Sequence, residues 1–405
     1  KDIVKRSPNR SYPDLHDHLK ALDAAGLLVT IDREINKDTE MHPLVRWQFR
    51  GGIEEKDRKA FLFTNVVDSK GNKFDMPVAV GVLAANRAIY AMGMGCAVEE
   101  VQDRWAHAIA NPISPLEISS DEAPCHEIII DGTELDKPGN ALDAIPVPIS
   151  TPGWDVGPVA TLTQYVTKDP DTGLTNMGNY RAQVKAPRRM GMNPSLELRP
   201  GIYIHWEKMK ARGEKLPAAV VLGAPSCVTF TAAQKLPENM EEITVAGGLV
   251  GSPINIVKAR TVDLMVPAEA EIVVEGYIDT EMLEPEAPFG ESHGHVNLQE
   301  FNAFMDVTCI TRRSDATMTS IISQVTPSES SCIKQVAYET IFMNHLRDAI
   351  GVKGVKRVAL HEPLTNIRKL VVLVCERDMP TTEIWRALYG AATLLRAGGK
   401  FVIAV

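Results

Sequence analysis

Three carboxylates and two imidazoles lie close together in residues 284–295, which read EPEAPFGESHGH. The prolines and glycines of this segment exclude a regular helix. Pro288 and Gly290 restrict the turn between Glu286 and Glu291. Two carboxylates on one constrained loop can divide the duties of base and acid in a proton transfer. A solvated acidic loop without chemistry would have the same composition.

A second polar segment, residues 174–183, follows a turn and reads LTNMGNYRAQ. We expect a strand in which alternate side chains face one side. Asn176 offers an amide oxygen suited to a hard cation. Arg181 offers a planar, two-pronged donor for a carboxylate of a substrate or of a neighbouring glutamate. A strand with one surface arginine is the simpler alternative.

A third segment, residues 241–251, has two acids followed by a run with three glycines, EEITVAGGLVG. These glycines would let the backbone approach another group closely, with Glu242 at the head of the segment. The spacing is not that of the GxGxxG dinucleotide fingerprint, and no βαβ pattern surrounds it. Alone, this segment identifies no ligand.

The elements that must position these segments follow from hydrophobic periodicity and turn residues. The first third of the chain alternates helices and strands, the middle is rich in strands, and the last part alternates again. This order predicts a mixed α/β (α+β) protein with a central barrel or sandwich. The predicted helices are residues 12–25, 98–109, 202–212, 334–350 and 382–395. The predicted strands are residues 27–31, 61–66, 77–82, 127–130, 159–166, 180–184, 218–222, 253–258, 271–277, 304–311, 355–360, 370–375 and 401–405.

The composition argues against several classes of protein. The chain has 405 residues and a net charge of −9, which gives no indication of a nucleic-acid or anionic-membrane partner. No apolar run approaches the ~20 residues that span a bilayer. Six cysteines are scattered without a Cys-x-x-Cys pair. This pattern argues against zinc ribbons and disulfide frameworks and favours a reducing cytoplasm.

The segments occur in a specific order: NMGNYRAQ at 176–183, Glu242 before AGGLVG, VPAEAEIVVEG at 266–276 and PEAPFGESHG at 285–294. In this order and at these separations they resemble the UbiD-type decarboxylases, which include the ubiquinone-pathway 4-hydroxybenzoate decarboxylases and the ferulic acid decarboxylases. One such motif is weakly specific, whereas the set is highly specific. The likeness runs from the N-terminal helix to residue 405.

The resemblance implies a central split β-barrel related to flavin reductases, flanked by an N-terminal α/β region and a C-terminal α/β domain. We accordingly divide the chain into residues 1–122, 123–320 and 321–405. The last part is expected to be incomplete, because the chain ends inside an apolar, buried type of strand. The resemblance also implies prenylated FMN, supplied by a flavin prenyltransferase, and a homo-oligomer such as a dimer or hexamer.

Individual residues receive roles from the same resemblance. Asn176 and Glu242 would ligate a divalent metal beside the cofactor phosphate, with Mn²⁺ as first candidate, Fe²⁺ or Mg²⁺ as alternatives and K⁺ as a further cation. Arg181, Glu286 and Glu291 would form an acid–base triad in which Glu291 delivers a proton to the ring carbon. The residues implied to contact the flavin are Asn179, Tyr180, Arg181, Arg199 and Pro200. Because no side chain can accept the two electrons left by decarboxylation, an organic electron sink is also expected on chemical grounds.

The chain departs from the ferulic-type pattern at the third metal ligand. Ferulic-type members carry a histidine where this chain has LELRPG at 196–201, and His205 is displaced by a few residues. The third ligand therefore stays open, and His205 is expected to be an ordinary helix residue.

Other candidates have structural explanations. His293 and His295 alternate as on a strand, Cys332 belongs to a helix start capped by Ser328, and Trp154 fits either above the pocket or in the core.

The implied reaction is the reversible decarboxylation of an aromatic or α,β-unsaturated carboxylic acid, with carbon dioxide as the other product. Residues 178–181 (GNYR) favour the ubiquinone-type branch, and hence phenolic acids or aromatic acyl-CoA carboxylates over cinnamates. Two alternatives stay open. The chain would otherwise be a non-catalytic subunit of a multi-component aromatic carboxylase, or a flavin reductase-like protein that uses plain FMN.

Overall fold

A computed structural model describes residues 10–193, 200–234, 236, 239–292, 294–360, 370–394 and 400–405. The helices are α1 (Leu15–Ala24), α2 (Met41–Arg50), α3 (Arg87–Met94), α4 (Val101–Ala110), α5 (Gly201–Arg212), α6 (Ser226–Ala232), α7 (Glu242–Val250), α8 (Glu329–Asn344) and α9 (Thr381–Thr393). The first strands are β1 (Leu28–Ile31), β2 (Ile35–Asn36), β3 (Ala60–Phe63), β4 (Val66–Val67), β5 (Lys73–Phe74), β6 (Val78–Val80), β7 (Leu116–Glu117) and β8 (Ile128–Asp131). The middle strands are β9 (Val159–Ala160), β10 (Gln164–Lys168), β11 (Thr175–Asn179), β12 (Ala182–Ala186), β13 (Arg189–Met192), β14 (Leu216–Leu222), β15 (Asn255–Lys258), β16 (Met265–Pro267) and β17 (Ile272–Ile278). The last strands are β18 (Glu284–Glu286), β19 (Glu300–Arg312), β20 (Met318–Ser320), β21 (Val355–Leu360), β22 (Leu370–Cys375) and β23 (Phe401–Ala404).

A ten-stranded antiparallel sheet forms the centre of the molecule, in the order β11-β10-β14-β17-β19-β13-β12-β9. β8 and β18 also pair with β19, whose 13 residues make it long enough to hold four partners. β14 and β17 lie in the middle and are buried along almost their whole length. Their valine- and isoleucine-rich sequences suit this position, because branched side chains pack well on a pleated surface. The predicted strand-rich middle of the chain is thus confirmed.

Four smaller sheets surround the central one. One has the order β1-β3-β6-β20, and its last strand comes from a part of the chain that follows the central sheet. The others are β16-β15-β7, β2-β4-β5 and β21-β22-β23. The predicted alternation of helices and strands at the two ends of the chain is confirmed, and the fold is a mixed α/β one with several sheets.

Local signals fix several helix starts. The Asp14 side chain accepts a hydrogen bond from the N–H of Asp17, whose own side chain returns one to Asp14, so α1 begins with a capping box. Ser328 and Ser331 form the same arrangement at the start of α8, as predicted for the helix that contains Cys332. Both caps use residues three apart and are therefore readable from the sequence.

Buried apolar side chains form two cores. The larger one extends along the chain from Tyr12 to Ala337, and the smaller one from Tyr338 to Ala391. The boundary between the two cores falls within α8, so side chains of this helix pack in both cores. Among the described residues, no helix combines the length and the apolar character needed to cross a membrane.

The glycines of residues 241–251 do lie at a close approach, whereas the prediction of a buried strand at the end of the chain is wrong. The glycine-containing segment 241–251 is mostly the helix α7, and its glycines approach α4: a Cβ at Gly248 would lie 2.8 Å from the carbonyl oxygen of Ala108. The close approach is therefore between helices. The strand at 401–405 is not buried, since it pairs with β22 and leaves Phe401 56% exposed.

Candidate functional site

Arg181 lies at a corner between β11 and β12, where the predicted strand 180–184 is interrupted. Thr163 causes the interruption. Its N–H donates to Oδ1 of Asn179 at 2.8 Å, its carbonyl accepts the N–H of Tyr180 at 3.2 Å, and its hydroxyl donates to the carbonyl of Tyr180. Both backbone groups of Tyr180 are thus bound to Thr163, which fixes the position of the corner. The corner turns Arg181 towards the segment that carries the two glutamates.

Arg181 and Glu286 form a two-pronged ion pair. Nε and Nη2 of Arg181 each lie 3.0 Å from one carboxylate oxygen of Glu286. Oε2 of Glu286 also accepts hydrogen bonds from Asn193 at 2.5 Å and from Asn302 at 3.0 Å. Burial opposes the charge on Arg181, but the hydrogen bonds and charge of Glu286, together with those of Glu291, outweigh it and raise the pKa of Arg181. The guanidinium is therefore held in its charged form by this contact.

Glu291 sits on a narrow hairpin and faces the other side of the same guanidinium. The N–H of Glu291 donates to the carbonyl of His295 at 2.9 Å, and the N–H of Asn297 donates to the carbonyl of Phe289 at 2.9 Å. Nη1 of Arg181 hydrogen-bonds Oε1 of Glu291, which also accepts the amide of Asn297 at 3.0 Å. The side chain of Glu291 is 25% exposed, against 6% for Glu286. Of the two carboxylates, Glu291 is the one that a bound molecule can reach.

The segment 284–295 is only partly the loop that the sequence predicts. The first three residues of this segment form β18, which pairs with β19. Glu286 therefore belongs to a strand and not to a loop. The ring of Phe289 packs under the guanidinium of Arg181, with 5.1 Å from Cζ to the ring centroid. A buried aromatic ring in this position supports the cation and excludes water from one side of it.

Three amides that complete the site were missed by the sequence analysis: Asn193, Asn297 and Asn302. Asn297 and Asn302 follow the acidic segment closely, but no motif spacing marks them. Asn193 comes from the end of β13, and only the pairing of β13 with β19 brings it to Glu286.

Asn176 lies on β11, at the outer edge of the central sheet, and Glu242 reaches the same strand from the start of α7. Oε2 of Glu242 accepts the N–H of Met177 at 2.9 Å. Burial raises the pKa of Glu242 to about 7, and the charge of Glu241 adds to this effect, while no cationic side chain contributes. A cation would relieve the burial cost of this carboxylate, so the pair fits a divalent metal with oxygen ligands.

The start of α5 packs tightly on Asn176. A Cβ at Gly201 would lie 2.1 Å from Oδ1 of Asn176, so only glycine leaves room for this amide. In the described part of the chain, no cluster of three or more His, Cys, Asp or Glu residues is suited to a metal. His205 is a helix residue, as predicted. Its Nδ1 lies 2.9 Å from the hydroxyl of Thr167, and burial lowers its pKa to about 4, so the imidazole is neutral.

A cavity of about 720 Å³ adjoins both groups of residues, a volume in the usual range for small-molecule sites. Of the residues implied to contact a flavin, those that line it are Asn179, Tyr180, Arg181 and Pro200. The metal candidates Asn176 and Glu242, the acid Glu291 and the ring of Phe289 also line it. Arg199 lies outside the described residues. The volume and the polar lining of the cavity thus fit a bound flavin.

Two of the flavin candidates are held by other parts of the chain. The amide of Asn179 is bound to backbone groups of Thr161 and Thr163. The ring of Tyr180 folds over Gly178, where a Cβ would lie 2.4 Å from the phenol oxygen. Both residues therefore shape the wall of the cavity through tertiary contacts within the corner.

Of the other sequence candidates, Trp154 belongs neither to the core nor to the lining of the cavity, since it is 65% exposed. His295 is exposed, and His293 lies outside the described residues. Cys332 is half-buried in the first turn of α8, as expected for a structural residue.

Comparison with known sequences gives two matches to family models. The model described as the 3-octaprenyl-4-hydroxybenzoate carboxy-lyase Rift-related domain, UbiD, matches residues 117–325. The model of the corresponding N-terminal domain, UbiD_N, matches residues 19–109. A similar curated protein is the uncharacterized protein sll0936 of Synechocystis sp., which is 30% identical over 359 residues, or 84% of this chain and 68% of that protein.

Solved structures with a similar fold include UbiD-class enzymes. An evolved dimeric form of HmfF from Pelotomaculum thermopropionicum, in complex with prFMN, has a TM-score of 0.84 and 27% identity, covering 96% of this chain and 85% of that one. The open form of vanillic acid decarboxylase from Sedimentibacter hydroxybenzoicus has a TM-score of 0.83 and 22% identity, covering 98% of this chain and 80% of that one. At this lower identity the second likeness bears on the fold alone.

Proposed function

Since the chain belongs to the UbiD family and is a carboxy-lyase, we propose that it reversibly decarboxylates an aromatic or α,β-unsaturated carboxylic acid with prenylated FMN. The observation that carries this proposal is the position of Arg181, held between Glu286 and Glu291 at the wall of a cavity of about 720 Å³. Phenolic acids and aromatic acyl-CoA carboxylates are the proposed substrates.

The cavity residues fit the two groups that the family implies. Asn179, Tyr180, Arg181 and Pro200 would hold the flavin, with Arg199 as a further proposed contact. Asn176 and Glu242 would hold a divalent cation, with Mn²⁺, Fe²⁺ and Mg²⁺ as candidates and K⁺ as an additional one. When bound, prenylated FMN supplies the electron sink that no side chain can provide.

The difference between the two glutamates supports distinct roles. Oε2 of Glu286 accepts three hydrogen bonds, so protonation there would break an established network. We assign to Glu286 the task of holding the guanidinium of Arg181, which orients the substrate carboxylate. Glu291 is more exposed and has fewer donors, so we assign to it the transfer of the proton to the ring carbon after carbon dioxide leaves.

The test begins with protein co-expressed with a flavin prenyltransferase. Absorbance and mass spectra of the released cofactor are expected to show prenylated FMN, and a panel of aromatic acids is expected to be decarboxylated. Oxidation of a nicotinamide with plain FMN, and no decarboxylation, would instead indicate a flavin reductase-like protein. Bound cofactor with neither activity would favour a non-catalytic subunit of a multi-component carboxylase.

Glu291→Gln tests the role of the acid. The amide keeps the size of the side chain but cannot donate the proton, so turnover is expected to fall about 10²-fold or more. Cofactor content should stay unchanged, because Glu291 contacts the cavity without supporting its walls. Near-normal decarboxylation by this variant would remove Glu291 from the proposed mechanism.

The fold type, the location, the oligomeric state and the source of the cofactor are also proposed for this chain. The antiparallel central sheet supports a split β-barrel related to flavin reductases. The six cysteines, all of them among the described residues, form no disulfide, which supports a cytoplasmic location. A homo-oligomer and a flavin prenyltransferase as the source of the cofactor complete the proposal.

A further inference from the structure

Asp155 is a buried carboxylate close to the site that has no role in the reaction as described so far. It ends a tight turn before β9 and is 6% exposed. Its Oδ2 accepts the N–H of Thr151 at 2.7 Å, and the N–H of Gly290 also hydrogen-bonds this carboxylate. The N–H groups of Trp154 and Asp155 both donate to the carbonyl of Thr151 at 3.0 Å, which closes the turn. One side chain thus connects this turn with the segment that carries Glu291.

Gly290 is the point where that segment touches the turn. It follows Phe289, whose ring supports Arg181, and precedes Glu291. A Cβ at Gly290 would lie 3.2 Å from the hydroxyl oxygen of Thr151 and 3.1 Å from Cγ of Gln324. The backbone therefore rests directly on these two side chains. A shift of the turn would therefore displace Gly290 as well.

The charges around Asp155 favour its ionised form, although burial opposes it. Burial raises the pKa of Asp155 to about 6. The N–H groups of Thr151 and Gly290 act in the opposite direction and lower this pKa. So do the charges of Arg181 and Arg46. Arg46 comes from α2, and Arg181 from the corner between β11 and β12. Oδ1 of Asp155 has no hydrogen-bond partner. The carboxylate is thus held in an unfavourable setting by a small number of specific contacts.

We propose that Asp155 is a positioning residue, whose carboxylate fixes the bend at Phe289 and Gly290 and thereby sets Glu291 against Arg181. This inference rests on the proposed function, because it gives Asp155 a part in the same proton transfer. If Asp155 served only the fold of its own turn, its loss would leave the bend and the kinetics of the site unchanged.

Asp155→Asn provides a test with almost no change in volume. The amide keeps an acceptor oxygen in the place of Oδ2 but carries no charge, so the hydrogen bonds from the N–H groups of Thr151 and Gly290 become weaker. Hydrogen exchange at residues 287–292 is expected to become about 5-fold faster, because hydrogen bonds to an uncharged acceptor are roughly half as strong as those to a carboxylate. With prenylated FMN bound, kcat should fall by about 10-fold or more, since small displacements of reacting groups can cost about 10²-fold. KM and cofactor content should change little.

Asp143→Asn is the matched control. The Asp143 carboxylate also accepts two backbone N–H groups, from Gly139 at 2.6 Å and Ala141 at 3.0 Å, and both donors belong to its own turn. In Asp143→Asn, hydrogen exchange should become faster only in the turn that holds Asp143, and kcat should stay unchanged. In addition, wild-type kcat should decrease as the pH falls through about 6, when Asp155 takes up a proton, and this decrease should be absent from Asp155→Asn.

Unchanged exchange at residues 287–292 in Asp155→Asn would overturn the proposal. So would an unchanged kcat together with the wild-type pH profile. Should that variant fail to fold, Gly290→Ala alters the same bend directly, because its methyl group would lie against Thr151 and Gln324. An unaltered kcat in Gly290→Ala would equally overturn the proposal. If the wild-type protein decarboxylates no acid, the proposed function fails, while the exchange data still decide whether Asp155 holds the bend.

Discussion

Arg181 distributes its donors unequally between two carboxylates, and this inequality defines the chemistry that the site can perform. Glu286 takes two of the guanidinium nitrogens and is enclosed by Asn193 and Asn302. Glu291 takes the third nitrogen and stays open to the cavity. The guanidinium is thus anchored on one side and can exchange partners on the other, where a substrate carboxylate would arrive.

The first prediction at the scale of residues concerns Arg181→Lys. A lysine keeps the positive charge but cannot reproduce the two-pronged contact with Glu286. We expect the variant to retain substantial cofactor and to lose decarboxylation and exchange with labelled bicarbonate by about 10²-fold, because the substrate carboxylate is no longer oriented. The exchange assay requires only an accepted substrate. A lysine variant that keeps its exchange rate while releasing flavin would show that Arg181 is a cofactor residue only.

Asn297→Ala tests how Glu291 is aimed. The amide of Asn297 is the second donor to Oε1 of Glu291, at 3.0 Å. Its removal should lower kcat about 10-fold, the effect of losing a hydrogen bond to a charged group. Asn72→Ala is a suitable control, because Asn72 makes the same type of contact to Asp68, at 2.8 Å, on an exposed turn. Equal kinetics in both variants would mean that Arg181 alone orients Glu291.

At the scale of elements, the site depends on the contact between the first turn of α5 and β11. Gly201 leaves space for Oδ1 of Asn176, which would otherwise be displaced. The same principle applies where the glycines of α7 rest on α4, since a Cβ at Gly248 would meet the backbone of Ala108. Close helix packing thus sets the positions of both metal-ligand candidates, Asn176 and Glu242.

Gly201→Ala tests the first of these contacts. Alanine suits a helix, so α5 itself should be stabilised by a few tenths to about 1 kcal/mol. Asn176, however, must move, and we expect a several-fold lower content of divalent metal and of flavin in the purified protein. Metal analysis and flavin absorbance measure this. Gly157→Ala is the control, because its Cβ would make only an ordinary contact of 3.6 Å with Gln183. Full occupancy in Gly201→Ala would contradict the role of Asn176 as a ligand.

The sequence predicts those elements whose determinants are local. Asp14 and Asp17 mark the start of α1 because the cap uses residues three apart. The corner at Arg181 could not be predicted, since it is imposed by Thr163 through tertiary hydrogen bonds. The donors Asn193, Asn297 and Asn302 were missed for the same reason: an amide has no preferred spacing from the carboxylate that it serves.

At the scale of the whole molecule, a buried network connects the first helix with the central sheet. Arg313 lies 3.0 Å from Asp14 and 3.8 Å from Glu271, which in turn lies 3.0 Å from His16. Burial opposes the charge of each acid in this network. For Asp14, the N–H of Asp17 and the charges of Arg10 and Arg313 outweigh burial and lower its pKa. The N-terminal helix is therefore attached to the sheet by charges of both signs.

The network predicts a dependence of stability on pH. Burial lowers the pKa of His16, but the hydrogen bond and charge of Glu271 outweigh burial and raise it above 6.5. A group whose pKa is raised by folding contributes its full stability below its unfolded value and loses it as the pH rises through the folded value. The difference in unfolding free energy between wild type and His16→Gln should therefore be larger at pH 5.5 than at pH 9. Chemical denaturation at both pH values measures it, and an equal difference would contradict the prediction.

The outer edge of β11 has a further consequence, which concerns contacts between molecules. A strand at the border of a sheet exposes N–H groups that can recruit a strand from another chain, and this is a common route to aggregation. On β11 these groups are occupied by side chains, since Glu241 accepts the N–H of Thr175 and Glu242 accepts that of Met177. The two acids at the start of α7 thus close the border of the central sheet to strand addition. Glu242, which is proposed to hold the metal, thus also helps to block strand addition at this border.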